Sequence, residues 1–384
     1  MCRDQLPSAA QRTGDLLTAR VAIVHDWLNQ TGGAEAVLEA LVGMFPRAPV
    51  FTTIYWREGM PARYRQWDIR TTWLDRAPLI YQRHQAYLPL YPPAVQSIDL
   101  SGYDLILSNK SGFCHGVCTT AEQLHIDYCL TPTRYLWDFS TYAARESMGS
   151  VARVALGPII RWLRQWDRKA ADGVDHFVAI SCEVQARIAR FYERESVVIH
   201  PPVDTERYHP TDDPPGDYFL VVSRLIPYKR IDLAVRACTQ LQVPLIVVGE
   251  GRDRAALQAM AGPTVQFRGR VSEDELARLL ARCRAFIFPG LEDFGIAPVE
   301  AQSAGRPVIA YGAGGALDTV IDGKTGLFFS EQTSESLMEA IRRLDSIDFD
   351  PRVIRRHAEG FGVQRFKREL WSYIEGNWRE FARV

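Results

Sequence analysis

The sequence predicts an α/β chain of two Rossmann-like, doubly wound domains, and three observations carry that expectation. Short apolar runs alternate with amphipathic or glycine-punctuated segments, the alternation from which parallel sheets are built. A stretch rich in proline and aspartate, His200-Pro-Pro-Val-Asp204 and then Pro210 to Asp217, divides the chain near its middle. The length of 384 residues exceeds one ordinary core and suits two.

The elements follow in order. Residues 1–20 mix charged with small residues, lack the apolar core of a signal peptide and are expected as a loose tail. Val21-Ala-Ile-Val24 reads as a first buried strand, His25 to Thr31 as a loop, and Gly32 to Leu41 as a helix opened by Gly32-Gly33. The apolar runs Tyr103 to Leu107, Ile126 to Leu130 and His176 to Ile180 supply further strands of a first domain (21–203), with Ser181 at the end of the last. The second domain (204–364) alternates more cleanly. Strands are expected at Tyr218 to Ser223, Pro244 to Val248, Thr264 to Phe267, Ala285 to Pro289 and Pro307 to Tyr311. Helices are expected at Ile231 to Thr239, Arg252 to Met260, Glu273 to Ala281, and from about Pro298 to Gly305. Residues 365–384 read as one or two amphipathic helices that pack back toward the N-terminal domain.

Composition narrows the function classes. Apolar residues make up 47% of the chain, which excludes a largely disordered protein. A net charge of −1 gives no global pull toward nucleic acid, so any anion site must be local. Seven scattered cysteines without CxxC spacing suit free thiols in a reducing cytoplasm and argue against a structural zinc or a disulfide framework. No run approaches the roughly 18 apolar residues of a membrane span.

The most informative stretch is Glu292-Asp-Phe-Gly-Ile-Ala-Pro-Val-Glu300, two carboxylates around a Phe-Gly turn in a strand-to-helix loop. Such loops lie at the carboxyl edge of a parallel sheet, where ligands bind, and a helix start offers unpaired N–H groups to an anion. Glu300, placed in the first helical turn, either grips a ligand hydroxyl together with Glu292 or only complements the helix dipole. The loop Ser223-Arg224-Leu-Ile-Pro-Tyr-Lys229-Arg230 brings cations suited to a diphosphate to the same edge. Gly249-Glu-Gly251, Gly269-Arg-Val271 and Gly312-Ala-Gly314-Gly315 also follow strands; the last lacks the full GxGxxG fingerprint of a dinucleotide loop. The lone Asp348-Phe-Asp350 falls in a late loop and reads as surface, not as a metal site.

These residues carry a resemblance. Arg224 with Lys229, the Glu292 to Glu300 pair around Phe294-Gly295-Ile296, Gly314-Gly315 with Asp322-Gly-Lys-Thr-Gly326, and Gly32-Gly33 at the first helix resemble the retaining GT-B glycosyltransferases of family 4. Tyr128-Cys-Leu-Thr-Pro-Thr-Arg134-Tyr-Leu-Trp137-Asp138 and Ser223 to Arg230 are similar to the bacterial exopolysaccharide and O-antigen mannosyltransferases of that family, including xanthan- and acetan-type lipid-linked enzymes. The resemblance implies two domains facing across a cleft and a nucleotide-sugar donor, GDP-mannose in the mannosyltransferase branch. It implies donor contacts from Gly32, Gly33, Arg224, Lys229, Val271, Glu292, Phe294, Gly295, Ile296 and Glu300: the diphosphate on Arg224 and Lys229, the ribose on Glu300, the base near Val271, and the transferred sugar on Glu292 and the 294–296 backbone. No metal and no cofactor is implied.

The acceptor implied is a polyprenyl-diphosphate-linked oligosaccharide, and the leaving phosphate would take the acceptor proton. Leu130 stands where many relatives have histidine, so His115 joins Glu292, Lys229 and Arg224 as a catalytic candidate; Lys110, Arg134 and Ser181 are candidates for the acceptor or the cleft. Asp318 stands where many relatives have glutamate. Arginines interleaved with aromatics, from Tyr55 to Arg83 and from Arg161 to Trp166, suit peripheral contact with the inner face of the cytoplasmic membrane. The alternatives are a UDP-sugar donor or a soluble acceptor, a non-catalytic sugar-nucleotide-binding protein, and a nicotinamide dehydrogenase, which the absence of a full GxGxxG disfavours.

Overall fold

A computed structural model describes residues 15–139, 150–211 and 214–383. The chain divides into two compact units: the first runs to Pro201 and takes in the segment from Phe366 onward, and the second is Pro202–Arg365. Both are α/β units on a wholly parallel sheet of Rossmann-like type.

Unit 1 carries β1 (Val21–His25), β2 (Val50–Thr52), β3 (Ile69–Thr71), β4 (Leu105–Lys110), β5 (Leu124–Cys129), β6 (His176–Ala179) and β7 (Ser196–Val198), in the order β3-β2-β1-β4-β5-β6-β7. Unit 2 carries β8 (Phe219–Val222), β9 (Leu245–Val248), β10 (Val265–Gly269), β11 (Ala285–Phe288), β12 (Val308–Tyr311) and β13 (Gly326–Phe329), in the order β10-β9-β8-β11-β12-β13. Central strands such as β1 and β9 are buried along their whole length, because helices cover both faces of a parallel sheet. Strand order reverses between β1 and β4 and again between β8 and β11. At each reversal the loops leaving two neighbouring carboxyl ends run to opposite faces and open a crevice. Segments far apart in sequence thereby become neighbours: Asp26 and Trp27 beside Ser111 to Cys114, and Lys229 beside Gly290 and Glu292.

Several elements depart from expectation for identifiable reasons. β2, β3 and β7 are three-residue strands, and β3 and β7 are partly exposed edges, so no apolar run announces them. β13 hides behind a glycine: at Gly326 a Cβ would lie 2.0 Å from Val308 O, so only glycine lets the two strands approach. β4 lies two residues later than expected and buries Ser108, Asn109 and Lys110. Polar neighbours meet them: Ser108 Oγ lies 2.8 Å from His125 Nε2 and 2.5 Å from Asp127 Oδ1 on β5, and the Asn109 amide donates to Ala34 O, in the helix after β1, at 2.8 Å.

Of the expected loose tail, residues 1–14 lie outside the described residues. Residues 15–20 are not loose: Asp15 caps a short turn at Leu16–Thr18, Leu16 is buried, and Arg20 grips Asp104 with Nη2 at 2.7 Å and Nε at 3.0 Å. The C-terminal residues form one helix, Val363–Phe381. Its Phe366, Trp371 and Tyr373 rings pack on Tyr128, Phe45 and His176 of unit 1 at 5.5, 5.6 and 6.3 Å. Part of the arginine–aromatic stretch is internal packing: Tyr64 is fully buried, stacks on Trp67 at 4.1 Å and donates to Glu39 at 2.8 Å. Among the described residues no helix is long and apolar enough to cross a membrane.

Candidate active site

At the β8/β11 reversal of unit 2 the chain brings two charged loops together. After β8, Pro227 opens a single 3-10 turn, Pro227–Lys229, and Arg230 takes a left-handed conformation (φ 53°) before helix Ile231–Leu241. That turn aims Lys229 at the neighbouring loop, where its Nζ lies 2.7 Å from Glu292 Oε1. The approach falls outside hydrogen-bonding angles and is a Coulombic pairing between two largely buried side chains, 20% and 13% exposed. Tyr228 supports the group: Lys229 Nζ lies 5.3 Å from its ring centroid, and Arg224 Nη2 donates to its hydroxyl at 3.4 Å.

Glycines let these loops close on one another. A Cβ on Gly290 would sit 3.1 Å from Lys229 O and 3.3 Å from Glu292 Oε1. Gly315 N–H donates to Glu292 O at 2.9 Å, and a Cβ there would fall 2.2 Å from Phe294 Cα. The Gly312-Ala-Gly314-Gly315 run is therefore a packing surface for the 292–294 backbone. Gly249 and Gly251 do the same for the loop after β8, since their Cβ atoms would lie 1.9 Å from Ser223 O and 2.1 Å from Leu225 O. Phe294 is buried against Phe361 at 5.8 Å, and Gly295 (φ 101°), which has no side chain to act as a cap, opens helix Ile296–Ser303.

Glu300 is not in the first helical turn, as expected, but in the second, because Gly295 starts the helix two residues before Pro298. At that depth it cannot be a dipole complement of the first turn. Burial pushes its carboxyl up to about 7, Arg207 pulls it down and Asp204 pushes it further up. Asp204, Arg207 and Tyr208, read in the sequence only as linker, thus belong to its surroundings. Arg355 holds Tyr208 to this helix, donating to Tyr208 O at 2.7 Å and to Ser303 O at 2.8 Å. Val271 follows β10 and packs against the core cluster of Leu220 and Phe286. Asp350 caps helix Pro351–Glu359 by accepting from Arg352 N at 2.8 Å, which accounts for one half of the Asp-x-Asp pair.

In unit 1 the chief feature of the β1/β4 reversal was missed in the sequence. Asp26, the first residue after β1 and 2% exposed, accepts the N–H groups of Ser111, Gly112 and Phe113 at 2.6 Å each and of Cys114 at 2.7 Å. A carboxylate directly after a buried strand was the available signal. Gly32 caps helix Gly33–Met44 with extended backbone, and a Cβ there would lie at an ordinary 3.5 Å from Glu35 Oε2.

The structure buries three of the candidates. Lys110 and His115 are fully buried within unit 1. Lys110 Nζ donates to Thr131 O at 3.3 Å and Thr133 Oγ1 at 3.2 Å and lies 3.9 Å from Asp167. His115 Nε2 lies 3.1 Å from Asp167 O, with Trp166 and Tyr192 on its ring, and burial, helped by Lys110, lowers its pKa to about 4. Asp167 binds the group together, accepting from Trp137 Nε1 at 2.7 Å and Tyr192 OH at 2.8 Å. The polar members of the Thr131-Pro-Thr-Arg-Tyr-Leu-Trp137 segment are thus anchors, while Arg134, partly exposed, begins the short helix Arg134–Trp137. Ser181, also buried, is the cap of helix Cys182–Tyr192, its Oγ accepting from Val184 N at 3.1 Å.

Comparison with known proteins agrees with this architecture. Residues 31–207 match the family described as Glycosyltransferase Family 4, and residues 204–358 that described as Glycosyl transferases group 1. The GDP-mannose-dependent alpha-(1-6)-phosphatidylinositol monomannoside mannosyltransferase of Mycolicibacterium smegmatis is 30% identical over 258 residues, 59% of this chain and 63% of that protein. The D-inositol 3-phosphate glycosyltransferase of Streptomyces avermitilis is 28% identical over 273 residues, 59% of this chain and 58% of that protein. The chain thus spans about three fifths of the length of these curated relatives. The crystal structure of Anabaena HepE in complex with UDP superposes with a TM-score of 0.68 at 17% identity, covering 92% of this chain and all of that one, which is a likeness of fold. Two adjoining glycosyltransferase matches that run from residue 31 to residue 358, laid on two parallel Rossmann-like sheets, make the chain a GT-B glycosyltransferase of family 4.

Proposed function

We propose that the protein is a retaining, metal-independent hexosyltransferase that moves mannose from GDP-mannose to a polyprenyl-diphosphate-linked oligosaccharide at the cytoplasmic face of the membrane. The observation that carries the reading is the Lys229–Glu292 pair, 2.7 Å apart at the sheet reversal with Arg224 alongside. A donor diphosphate arriving there draws Lys229 and Arg224 onto its oxygens and releases Glu292 to accept hydroxyls of the sugar. The N–H groups at Gly295 and Ile296 face the same ligand. As the glycosidic bond breaks, these cations stabilise the charge growing on the leaving phosphate, which takes the acceptor proton on the face it leaves. The mannosyl donor rests on the Mycolicibacterium relative, whose name specifies GDP-mannose. A UDP-sugar is the second reading, favoured by the UDP complex of the HepE fold relative. Thermal stabilisation by a panel of GDP- and UDP-sugars, followed by transfer assays with lipid-linked acceptors, decides between them; stabilisation by neither set overturns the donor site.

Glu300 gives this reading a pH signature. Its carboxyl, raised to about 7, is neutral in the free protein at mildly acidic pH, yet a ribose diol donates to the ionised form. Donor binding therefore expels a proton below about pH 7, and affinity rises with pH up to that point and levels off above it. The free fold has the opposite trend, since a raised carboxyl costs stability as pH climbs from its ordinary value of 4.5 toward 7. Affinity for a nucleotide-sugar, whose diphosphate diester does not titrate in this range, is expected to climb with pH in the wild type and to stay flat in Glu300→Gln. An equal slope in both proteins assigns the titration elsewhere.

A further inference from the structure

The loop that carries Glu292 in unit 2 is held at two points. It leaves β11 at Pro289, and Pro289, Gly290 and Glu292 line one recess with Ser223 and Lys229. At Glu292 the hold is backbone: Gly315 N–H donates to Glu292 O at 2.9 Å, and a Cβ on Gly314 (φ 64°) would lie 2.6 Å from the same oxygen. At Pro289 the hold is a side chain from 43 residues further along the chain, Gln332, whose Nε2 donates to Pro289 O at 2.9 Å. A carbonyl only accepts, so the amide nitrogen and not its oxygen must face Pro289.

Gln332 stands on a firm base. It lies between β13 and helix Ser334–Arg343, where Thr333 N donates to Glu331 O at 2.7 Å, Glu331 N donates to Ser336 Oγ at 3.3 Å, and Thr333 Oγ1 caps the helix by accepting from Ser336 N at 3.2 Å. Leu337, Ala340 and Ile341 fix that helix in the core cluster around Phe219. Glu292 Oε1, the oxygen facing Lys229, is by contrast buried with no hydrogen-bond partner. At that oxygen the carboxylate takes its position from the charge of Lys229 and from the loop backbone, and the backbone takes its own from Gln332 and Gly315. Resting on the reading of Glu292 as a ligand of the donor sugar, we infer that Gln332 is a positioning residue for sugar recognition: by tying Pro289 to the connection after β13, it holds Glu292 in register with the sugar hydroxyls. Arg224 and Lys229 belong to a different loop, after β8, so the diphosphate does not depend on this tie.

The test needs no acceptor. Calorimetry on the full chain measures the affinity of GDP and of GDP-mannose, and of UDP and UDP-glucose in parallel, the ratio within each pair being the contribution of the sugar. In Gln332→Met, which keeps the length of the side chain but cannot donate, that ratio is expected to fall about tenfold, the weight of one charge-assisted hydrogen bond. Affinity for the bare nucleotide is expected to stay at the wild-type level, which also shows that the variant is folded. In the Glu292→Gln background the same substitution should lower the ratio no further, because the two residues act through one contact. An unchanged ratio in Gln332→Met overturns the inference, and so does an equal loss for nucleotide and nucleotide-sugar, which would make Gln332 a prop of the whole site. A further fall in the double variant overturns it too. If the wild type binds the nucleotide-sugar no better than the bare nucleotide in either pair, the sugar role of Glu292 fails and the inference with it; if only Gln332→Met departs from expectation, that role stands.

Discussion

Asp26→Ala is expected to unfold unit 1 at a markedly lower temperature, with a loss of about 4 kcal/mol or more. The carboxylate accepts four consecutive backbone N–H groups, from Ser111 to Cys114, and also lies 3.2 Å from Ser111 Oγ. Water cannot replace it at a site only 2% exposed, so truncation leaves several buried donors unsatisfied, at about 1–3 kcal/mol each before relaxation. Asp26→Asn fares little better, because its amide NH2 would be driven against N–H groups that already point at it. The residue joins the loop after β1 to the loop after β4, so its loss loosens both sides of the reversal. Denaturant unfolding of unit 1, followed alongside donor-induced stabilisation of unit 2, measures the effect. A loss below about 1 kcal/mol would mean that the loop repacks around the gap.

Lys229→Ala is expected to weaken nucleotide-sugar binding by about 1.5–3 kcal/mol, roughly 10- to 150-fold, the value of a charge-assisted hydrogen bond. The fold should survive, because the side chain belongs to a loop at the sheet's carboxyl edge and not to the core cluster around Phe219 and Val221. Glu292 then offers a sharper test. In the free protein it holds Lys229 at 2.7 Å, competing with a diphosphate. Glu292→Gln removes that competition and should tighten binding of bare GDP several-fold, while abolishing the extra affinity contributed by the sugar of GDP-mannose. Titration of both ligands against wild type and the two variants separates the roles. If Glu292→Gln weakens GDP and GDP-mannose alike, the carboxylate is a structural partner of the lysine and not a ligand for the sugar.

How much of this was legible in the sequence can be judged residue by residue. The runs Val21 to Val24, Leu245 to Val248 and Ala285 to Phe288 announce buried parallel strands because both faces are covered and every position is apolar. Loops that follow such strands must gather at one edge, so Arg224, Lys229 and Glu292 could be placed near one another from spacing alone. The edge strands β3 and β7 left no such trace, since half-exposed three-residue segments carry no period.

By itself, then, the sequence determined the α/β class, the succession of apolar strands and helices, and which charged residues stand at the ends of strands, for these follow from local composition and period. Only the tertiary structure decided which of those residues meet ligand-accessible space. It set Lys229 against Glu292 and moved Glu300 into the second turn, where burial raises its carboxyl to about 7. It also drew Lys110 and His115 into the interior around Asp167 and made Asp26 a bolt between two loops. The reason is physical: whether a polar side chain faces a ligand or a buried partner depends on what long-range packing brings within about 3 Å of it, and no run of neighbouring residues records that.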